Sequence, residues 1–370
     1  MSELNSEYLK WYVQYPKLKY DLRSSGISDF EWFFNLKNFN LSEAFSCGNP
    51  EAKEVVAKRY AVLSENVFVS SEGASGVNTR IIKCLASMKD KKQAVVEYPA
   101  YEPLLRQTQS FFSDIKRVRR KKENDYQIVQ DDLKKAISDK TAVLVITNPH
   151  APTGVKSSKT ELEEIMELAC EHEFYVLCDE IYAEFDRSNN PTLFSIEPQR
   201  GITTTSFSKA YGLGGLKAGL ALASEKLVEQ FYQNVLNTVG CGSNLVEAAL
   251  TDLLTKGKDA MEKHKEKWLE IRRKTEKWLK TVNGISFVPN RCGVTFWLEI
   301  EKVRDTYRWT NEYTIPKIGL STVPGAFFLY EDGYTIVRSN QTRLGVGNIK
   351  IDKLDEALSV FEKATSKGID

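Results

Sequence analysis

From about residue 67 to residue 223, short runs of consecutive apolar residues alternate with stretches in which apolar residues recur every three or four positions. A run with no polar side predicts a strand buried on both faces, and recurrence at three and four predicts an amphipathic helix. The strands predicted in this way are Val67 to Ser70, Ala94 to Glu97, Ala142 to Thr147, Tyr175 to Cys178, Ile202 to Ser206 and Ala218 to Ala223. Helices are predicted over Val77 to Met88 and Lys159 to Glu171. Strand and helix in alternation give an α/β fold with a mostly parallel sheet covered on both faces. Beyond Leu245 the pattern changes. A long helix of mixed charge is predicted over Asp259 to Thr281, its apolar stripe made by Trp268, Leu269, Ile271, Trp278 and Leu279. Strands at Ile285 to Val288 and Val294 to Ile300 follow, then a helix and short strands around Gly319 and Arg343. This C-terminal third reads as a smaller α+β domain joined through the long helix, with one continuous fold as the alternative.

Composition narrows the function classes. At 370 residues the chain is too long for one small core. Lys and Arg number 51 against 50 Asp and Glu, so no overall field draws in nucleic acid or an anionic membrane. The N-terminus, MSELNSEYLKWYVQYPK, is charged and aromatic, and no apolar run approaches the ~18 residues of a membrane span. The six cysteines are scattered without ligand spacing, which suits reduced thiols in a soluble, cytoplasmic protein. Of the three histidines, His172 and His264 lie in polar surroundings. A Ser-His-Asp triad or a metal site is not predicted, and suspicion moves to lysine and carboxylate chemistry.

In an open α/β sheet, ligands gather at the carboxyl ends of the strands, and the unusual residues stand there. After Val67 to Ser70 comes SEGASGVNTR, where the N–H groups of Gly73, Ala74 and Ser75 could cradle a phosphate, or simply turn and cap a helix. After Ala94 to Glu97, YPAYEP presents Tyr101, an aromatic that could stack on a flat ring or pack in the core. After Ala142 to Thr147 comes the extended turn NPHAPTG, and after Tyr175 to Cys178 comes DEIYAEF, with Asp179 and Tyr182 at the strand's exit. A carboxylate there is costly unless paired, and a protonated ring nitrogen would pair it. After Ile202 to Thr205 comes SFSKAYGLGGLKAG, with Lys209 flanked by Ser206, Ser208 and Lys217. A desolvated lysine has a lowered pKa and is the nucleophile of Schiff-base chemistry. An aldehyde, a phosphate, a ring nitrogen and a phenolate oxygen would satisfy all of these groups, and pyridoxal 5′-phosphate carries all four.

The ordered set GAS, YPAY, NPHAPTG, DEIY, SFSKAYGLGGLKAG, VPGAFF and TRLGVG resembles a fold-type I, class I/II aminotransferase of the aspartate aminotransferase superfamily over nearly the whole chain. The resemblance implies a mostly parallel seven-stranded sheet sandwiched by helices, with an N-terminal segment 1–40 packing on the small domain, a large cofactor-binding domain 41–258 and a small domain 259–370. It implies transfer of an amino group from an L-amino acid to a 2-oxo acid, in a homodimer with shared active sites. Lys209 would form the aldimine with the cofactor and shuttle the proton between substrate Cα and cofactor C4′; Asp179 would keep the pyridine nitrogen protonated, and Tyr182 would donate to O3′. Tyr101 would stack on the ring, Asn148 and Ala151 would lie in the cofactor turn, and Ala74, Ser75, Ser206, Ser208 and Lys217 would surround the phosphate. Arg343 matches the arginine that takes the substrate carboxylate, with Arg338 in reserve, and Gly26 matches the segment that closes over the substrate.

Three positions depart from the family pattern. Ala151 stands where the NPxNPTG turn has an asparagine that donates to O3′; Lys217 replaces an arginine at the phosphate; Phe45 is the nearest match to a tyrosine lent by the partner subunit. Losing one hydrogen bond to a charged group costs roughly 1.5–3 kcal/mol, enough to retune such a site without emptying it. The competing readings are β-elimination, decarboxylation or racemisation on the same cofactor, and a non-catalytic binding protein on the same scaffold. A dinucleotide fold is excluded by order, because the glycines of YGLGGLKAG follow a lysine turn and precede a strand.

Overall fold

The computed structural model describes residues 6–34, 39–40, 42–87, 91–187, 191–289, 292–331 and 337–367. Met88, the predicted end of one helix, lies outside them. Helix α1 (Glu7–Gln14) opens the described chain, and the Ser6 hydroxyl caps it by accepting from Leu9 N. Strands β1 (Tyr20–Asp21) and β2 (Arg23–Ser24) follow. Helix α2 (Pro50–Tyr60) begins where Asn49 caps it and Pro50 fixes its first turn.

The main layer then builds in the predicted rhythm: β3 (Val67–Ser70), α3 (Gly73–Ala86), β4 (Gln93–Tyr98), α4 (Glu102–Gln109), β5 (Asp114–Arg119), α5 (Gln130–Ala136), β6 (Thr141–Thr147), α6 (Lys159–Glu171), β7 (Tyr175–Asp179), α7 (Leu193–Ile196), β8 (Gly201–Thr205) and β9 (Gly219–Leu222). These strands form one seven-stranded sheet in the order β3-β9-β8-β7-β6-β4-β5. Only β9 runs antiparallel to its neighbours. Strands β3, β6, β8 and β9 are buried along their whole length, as continuous apolar runs require.

Strand β5 was not among the predicted strands. Its sequence, DIKRVR, buries only Val118 fully and lies at the sheet's edge, where charged side chains discourage pairing with another chain. A tight contact joins β9 to α3: a Cβ on Gly219 would stand 2.4 Å from Gly73 O. This brings the backbone of the predicted phosphate turn against the sheet.

Helices α8 (Glu225–Leu236), α9 (Asn244–Lys256) and α10 (Lys258–Leu279) lead away from the sheet. In α10, Trp268, Ile271 and Leu279 of the predicted stripe are buried, and Leu269 and Trp278 pack on the core. The C-terminal part adds β10 (Ile285–Phe287), β11 (Thr295–Ile300), α11 (Thr306–Arg308) running into a π-helical stretch Trp309–Ile318, β12 (Leu320–Ser321), β13 (Val323–Pro324), β14 (Gln341–Val346) and α12 (Leu354–Thr365). Its sheet runs β10-β11-β14-β13, and β2 joins it in parallel on β14 while β1 pairs with β12. The N-terminal segment is thus sewn into this smaller sheet. A single apolar cluster passes from Val67 and Leu220 of the main sheet, through Trp268 and Ile271, to Phe296 and Leu344 of the second.

Candidate active site

Lys209 stands in the loop after β8, and its Nζ donates to Ser25 Oγ at 3.0 Å, just past the end of β2. Ile27 N donates to Lys209 O at 2.9 Å, so the two loops are joined by backbone as well. Gly26 is required between them: a Cβ there would lie 2.9 Å from Lys209 Cδ and 3.1 Å from its Cα. Burial strips water from the amine and holds its pKa below the ordinary lysine value; Arg343 and Lys217 push the same way, while Tyr8 and Asp179 oppose.

Asp179 closes β7 and is buried. Asn78 Nδ2 donates to its Oδ2 at 2.8 Å and Ile181 N to its Oδ1 at 3.0 Å. Thr204 Oγ1 fixes Asn78 in turn, donating to its Oδ1 at 2.6 Å. Burial nevertheless pushes the acid up to about 6. Lys209 and Asp179 line one cavity of about 560 Å³ together with Tyr101, Ala151 and Tyr182. Burial raises the Tyr101 phenol well above its usual range, so it stays neutral.

The far end of the cavity is formed by Gly73, Ala74 and Ser75 at the start of α3 and by Ser206, Ser208 and Lys217. The Gly73 N–H, expected to face a phosphate, instead donates to Lys217 O at 2.6 Å. That leaves Ala74 and Ser75 as the backbone donors of the turn. Lys217 holds this bond from the left-handed region, φ 59°, which costs a non-glycine residue about 1–2 kcal/mol. Ser206 Oγ donates to Ser208 Oγ at 2.9 Å, placing both hydroxyls side by side. Glu72 also lines this end, but Arg80 grips its carboxylate at 2.5 and 2.7 Å.

Other expected residues sit elsewhere. Asn148 is buried outside the cavity lining, its Oδ1 accepting from Ser157 N at 3.0 Å. His150 cannot replace the amide missing at Ala151, because Thr153 Oγ1 at 2.7 Å and Pro99 O at 2.9 Å engage both ring nitrogens. Arg343 lines a narrower cleft that meets the cavity at Ala151 and Tyr182. Its Nη2 donates to Tyr8 Oη at 3.2 Å and to Arg23 O at 3.1 Å. Arg338 has an 83% exposed side chain and is a surface charge. Sequence reading missed Tyr8, Ser25 and Asn78. The signal for Asn78 was an amide beside Val77 in a predicted helix; Tyr8 lies in an N-terminal stretch that carries no motif.

A profile of class I and II aminotransferases matches residues 42–361. The chain belongs to this family. A 304-residue stretch is 26% identical to a protein named aromatic-amino-acid aminotransferase 2 from Thermococcus litoralis, covering 78% of this chain and 74% of that one. Over 337 residues it is 24% identical to an aspartate aminotransferase from Pyrococcus abyssi, covering 85% and 82%. Among solved structures, a PLP-dependent aminotransferase from Streptococcus suis superposes with a TM-score of 0.84 at 20% identity, covering 98% of each chain. An aromatic aminotransferase from Pyrococcus horikoshii gives 0.80 at 22%, again covering 98% of each, a likeness of fold. This chain is therefore an aminotransferase that uses pyridoxal 5′-phosphate, and the relatives' names support amino-group transfer over elimination, decarboxylation or racemisation.

The residues present in this aminotransferase fit the cofactor. Asp179 is a buried carboxylate with no cation bonded to it among the described residues, suited to a protonated ring nitrogen, and Lys209 is a desolvated amine in the same cavity. Two hydroxyls, an ammonium and a helix N-terminus without a side-chain cap suit a phosphate.

Two outcomes test this electrostatic arrangement. Asp179 moves from 3.8 to about 6, so folding favours its protonated form; the stability it contributes is full below 3.8 and lost as pH rises through about 6. Cofactor-free protein should therefore lose thermal stability between about pH 4 and pH 6.5, and Asp179→Asn should remove part of that loss. Glu97, pushed up to about 7 by burial, titrates in an overlapping range, so the difference curve is the reading; a flat difference would mean that Asp179 is not desolvated. Second, Arg80→Met releases the Glu72 carboxylate beside the end of the cavity expected to take the phosphate, and cofactor affinity read by fluorescence titration should weaken roughly tenfold, about 1.4 kcal/mol. Unchanged affinity would show that the carboxylate is not felt there.

Proposed function

We propose that Lys209 would hold the cofactor through its aldehyde and, once the substrate's amine has displaced it, would carry the proton, that Asp179 would hold the ring nitrogen, and that Tyr182 would be the phenol beside the ring oxygen. The observation that carries this is the pairing of Lys209 and Asp179 in one buried cavity, each displaced by desolvation toward its neutral form. The cofactor, when bound, supplies an electron sink for the pair left as the substrate Cα–H bond breaks. The chain's part is positional. Lys209 Nζ would take the proton from Cα, desolvation having lowered its pKa and so favoured the neutral amine that can act as a base. Ser25 holds that amine between transfers, and Arg343 receives the substrate carboxylate with its guanidinium fork. Ala74, Ser75, Ser206, Ser208 and Lys217 would hold the phosphate, and Tyr101 would cover the ring. The methyl of Ala151 offers the ring oxygen no donor, so that bond would fall to Tyr182.

For the substrate, the reading is an amino acid without a second carboxylate, with a 2-oxo acid as acceptor. Among the described residues lining the cavity there is no arginine; its cations are Lys209 and Lys217, both assigned above to the cofactor, and its carboxylates are Asp29, Glu72 and Asp179. A distal carboxylate would find repulsion rather than a partner, whereas Tyr8, Tyr101 and Ile27 offer apolar contact.

The division into segment 1–40, large domain 41–258 and small domain 259–370 is supported by the separate sheets, although the shared apolar cluster makes the join a packed one. A homodimer with shared sites is supported by exposed Leu236, Val239 and Leu245, at the end of α8, in the connection and at the start of α9, beside a second cavity of about 320 Å³ lined by Ser71, Glu72 and Ser243. Free cysteines support a reducing, cytoplasmic setting, and among the described residues no helix is long and apolar enough to cross a membrane. Sedimentation of the loaded protein reads the dimer; a monomer with full activity would exclude shared sites.

The substrate test is a panel of amino acids with 2-oxoglutarate and pyruvate as acceptors, followed by kcat/KM. Neutral and aromatic amino acids should exceed aspartate by at least about tenfold, the factor that about 1.4 kcal/mol of lost ion pairing gives. Preference for aspartate would overturn this substrate class and leave the transfer chemistry standing.

A further inference from the structure

Helix α1 lies beside the cavity that holds Lys209, with Tyr8 in its lining, and both of its ends are pinned. At its start, the Glu102 carboxylate, 1% exposed, accepts from the Ser6 hydroxyl, from Glu7 N at 3.1 Å and from Tyr8 N at 3.2 Å. Arg106 Nε, one turn along α4, donates to the same carboxylate at 3.0 Å. A negative charge on the free N–H groups of a first helical turn is doubly favourable, by hydrogen bond and by dipole. At its end, Arg23 donates to Tyr12 O at 3.1 Å and Tyr15 O at 2.8 Å.

This helix delivers Tyr8 to the site. The ring is 5% exposed, edge-on to Tyr101 at 5.9 Å and against Phe327 at 5.7 Å, and it lines the cavity that holds Lys209. Its hydroxyl oxygen accepts from Arg343 Nη2 at 3.2 Å. An oxygen that accepts from a guanidinium keeps its own hydrogen for another acceptor, and an anion arriving at that guanidinium is the acceptor that chemistry offers. We propose that Tyr8 is a substrate-contacting residue, donating its hydroxyl hydrogen to the carboxylate received by Arg343, and that Glu102 is the positioning residue that fixes it through the first turn of α1.

The inference rests on the assignment of Arg343 to the substrate carboxylate, so Arg343→Lys is measured alongside. The holoenzyme and its variants are assayed for KM and kcat with whichever amino acid the wild type uses best, and for cofactor dissociation and thermal midpoint. Because the substrate is chosen by the wild type, an error in substrate class changes the assay and not the comparison. Tyr8→Phe should raise KM about tenfold or more, the effect of one hydrogen bond to a charge, with kcat within about threefold and cofactor affinity unchanged. Glu102→Gln should raise KM in the same direction. In the Tyr8→Phe background it should add almost nothing, since its effect runs through the hydroxyl already removed. Ser6→Ala, a milder break of the same latch, replaces Glu102→Gln in both backgrounds if the latter does not fold. An unchanged KM in Tyr8→Phe with a raised KM in Arg343→Lys overturns the role of Tyr8 alone. Unchanged KM in both overturns the carboxylate assignment and this inference with it. A KM rise from the latch variant that adds fully to that of Tyr8→Phe overturns the positioning role of Glu102.

Discussion

A buried carboxylate must be matched by positive charge or give up its own, and Asp179 is the carboxylate around which this molecule is arranged. Its two hydrogen bonds, from Asn78 and from Ile181 N, hold it still without neutralising it. Asn78 is itself held by Thr204, so three neighbouring elements, α3, β7 and β8, meet at one acid. The sheet that brings them together also sets Lys209 at the end of the next strand, and desolvation drives that amine toward the neutral form a nucleophile needs. A cationic ring nitrogen and an aldehyde are what such a pair accepts.

Behind the cavity lies a layer of buried charge. Glu184, two residues past Tyr182, accepts from Arg59 at 2.6 Å and from the Tyr60 hydroxyl at 2.8 Å. Tyr211, two residues past Lys209, accepts from Arg59 at 3.0 Å and donates to Glu262 on α10 at 2.7 Å. Arg187 closes the set on Glu180 at 2.5 Å. Such groups are expensive to bury singly, and the bonds between them hold each in place. They tie the turn after β7, the loop after β8 and the helix leading to the second sheet into one frame, so the distance between Tyr182 and Lys209 is set from beneath.

The parts of this design that were legible in the sequence were those with a local signature. Strand β3 and helix α6 fall on their predicted residues, because a continuous apolar run and a three-four repeat each leave one option. Edge strand β5 was not, since its alternating charge reads as surface. That Lys209, Asp179 and Tyr182 share one cavity was legible because polar groups at the ends of apolar strands are conspicuous. Gly73 was misread for a reason no spacing reveals: its N–H is taken by Lys217 O, from a loop more than a hundred residues away. Asn148 lies outside the cavity lining, bonded to Ser157, and Tyr8 lies so far from the motifs that long-range contacts, the pairing of β2 with β14 and the Glu102 latch, bring its helix to Arg343.

The central claim is that Lys209, and no other amine lining the cavity, engages the cofactor aldehyde. The most direct measurement is borohydride reduction of the protein loaded with pyridoxal 5′-phosphate, followed by peptide mass mapping, with Lys209→Ala and Lys217→Ala treated in parallel. The account predicts one stoichiometric label on the peptide containing Lys209, retained in Lys217→Ala and lost in Lys209→Ala. A label on Lys217, or one that survives in Lys209→Ala, would contradict it.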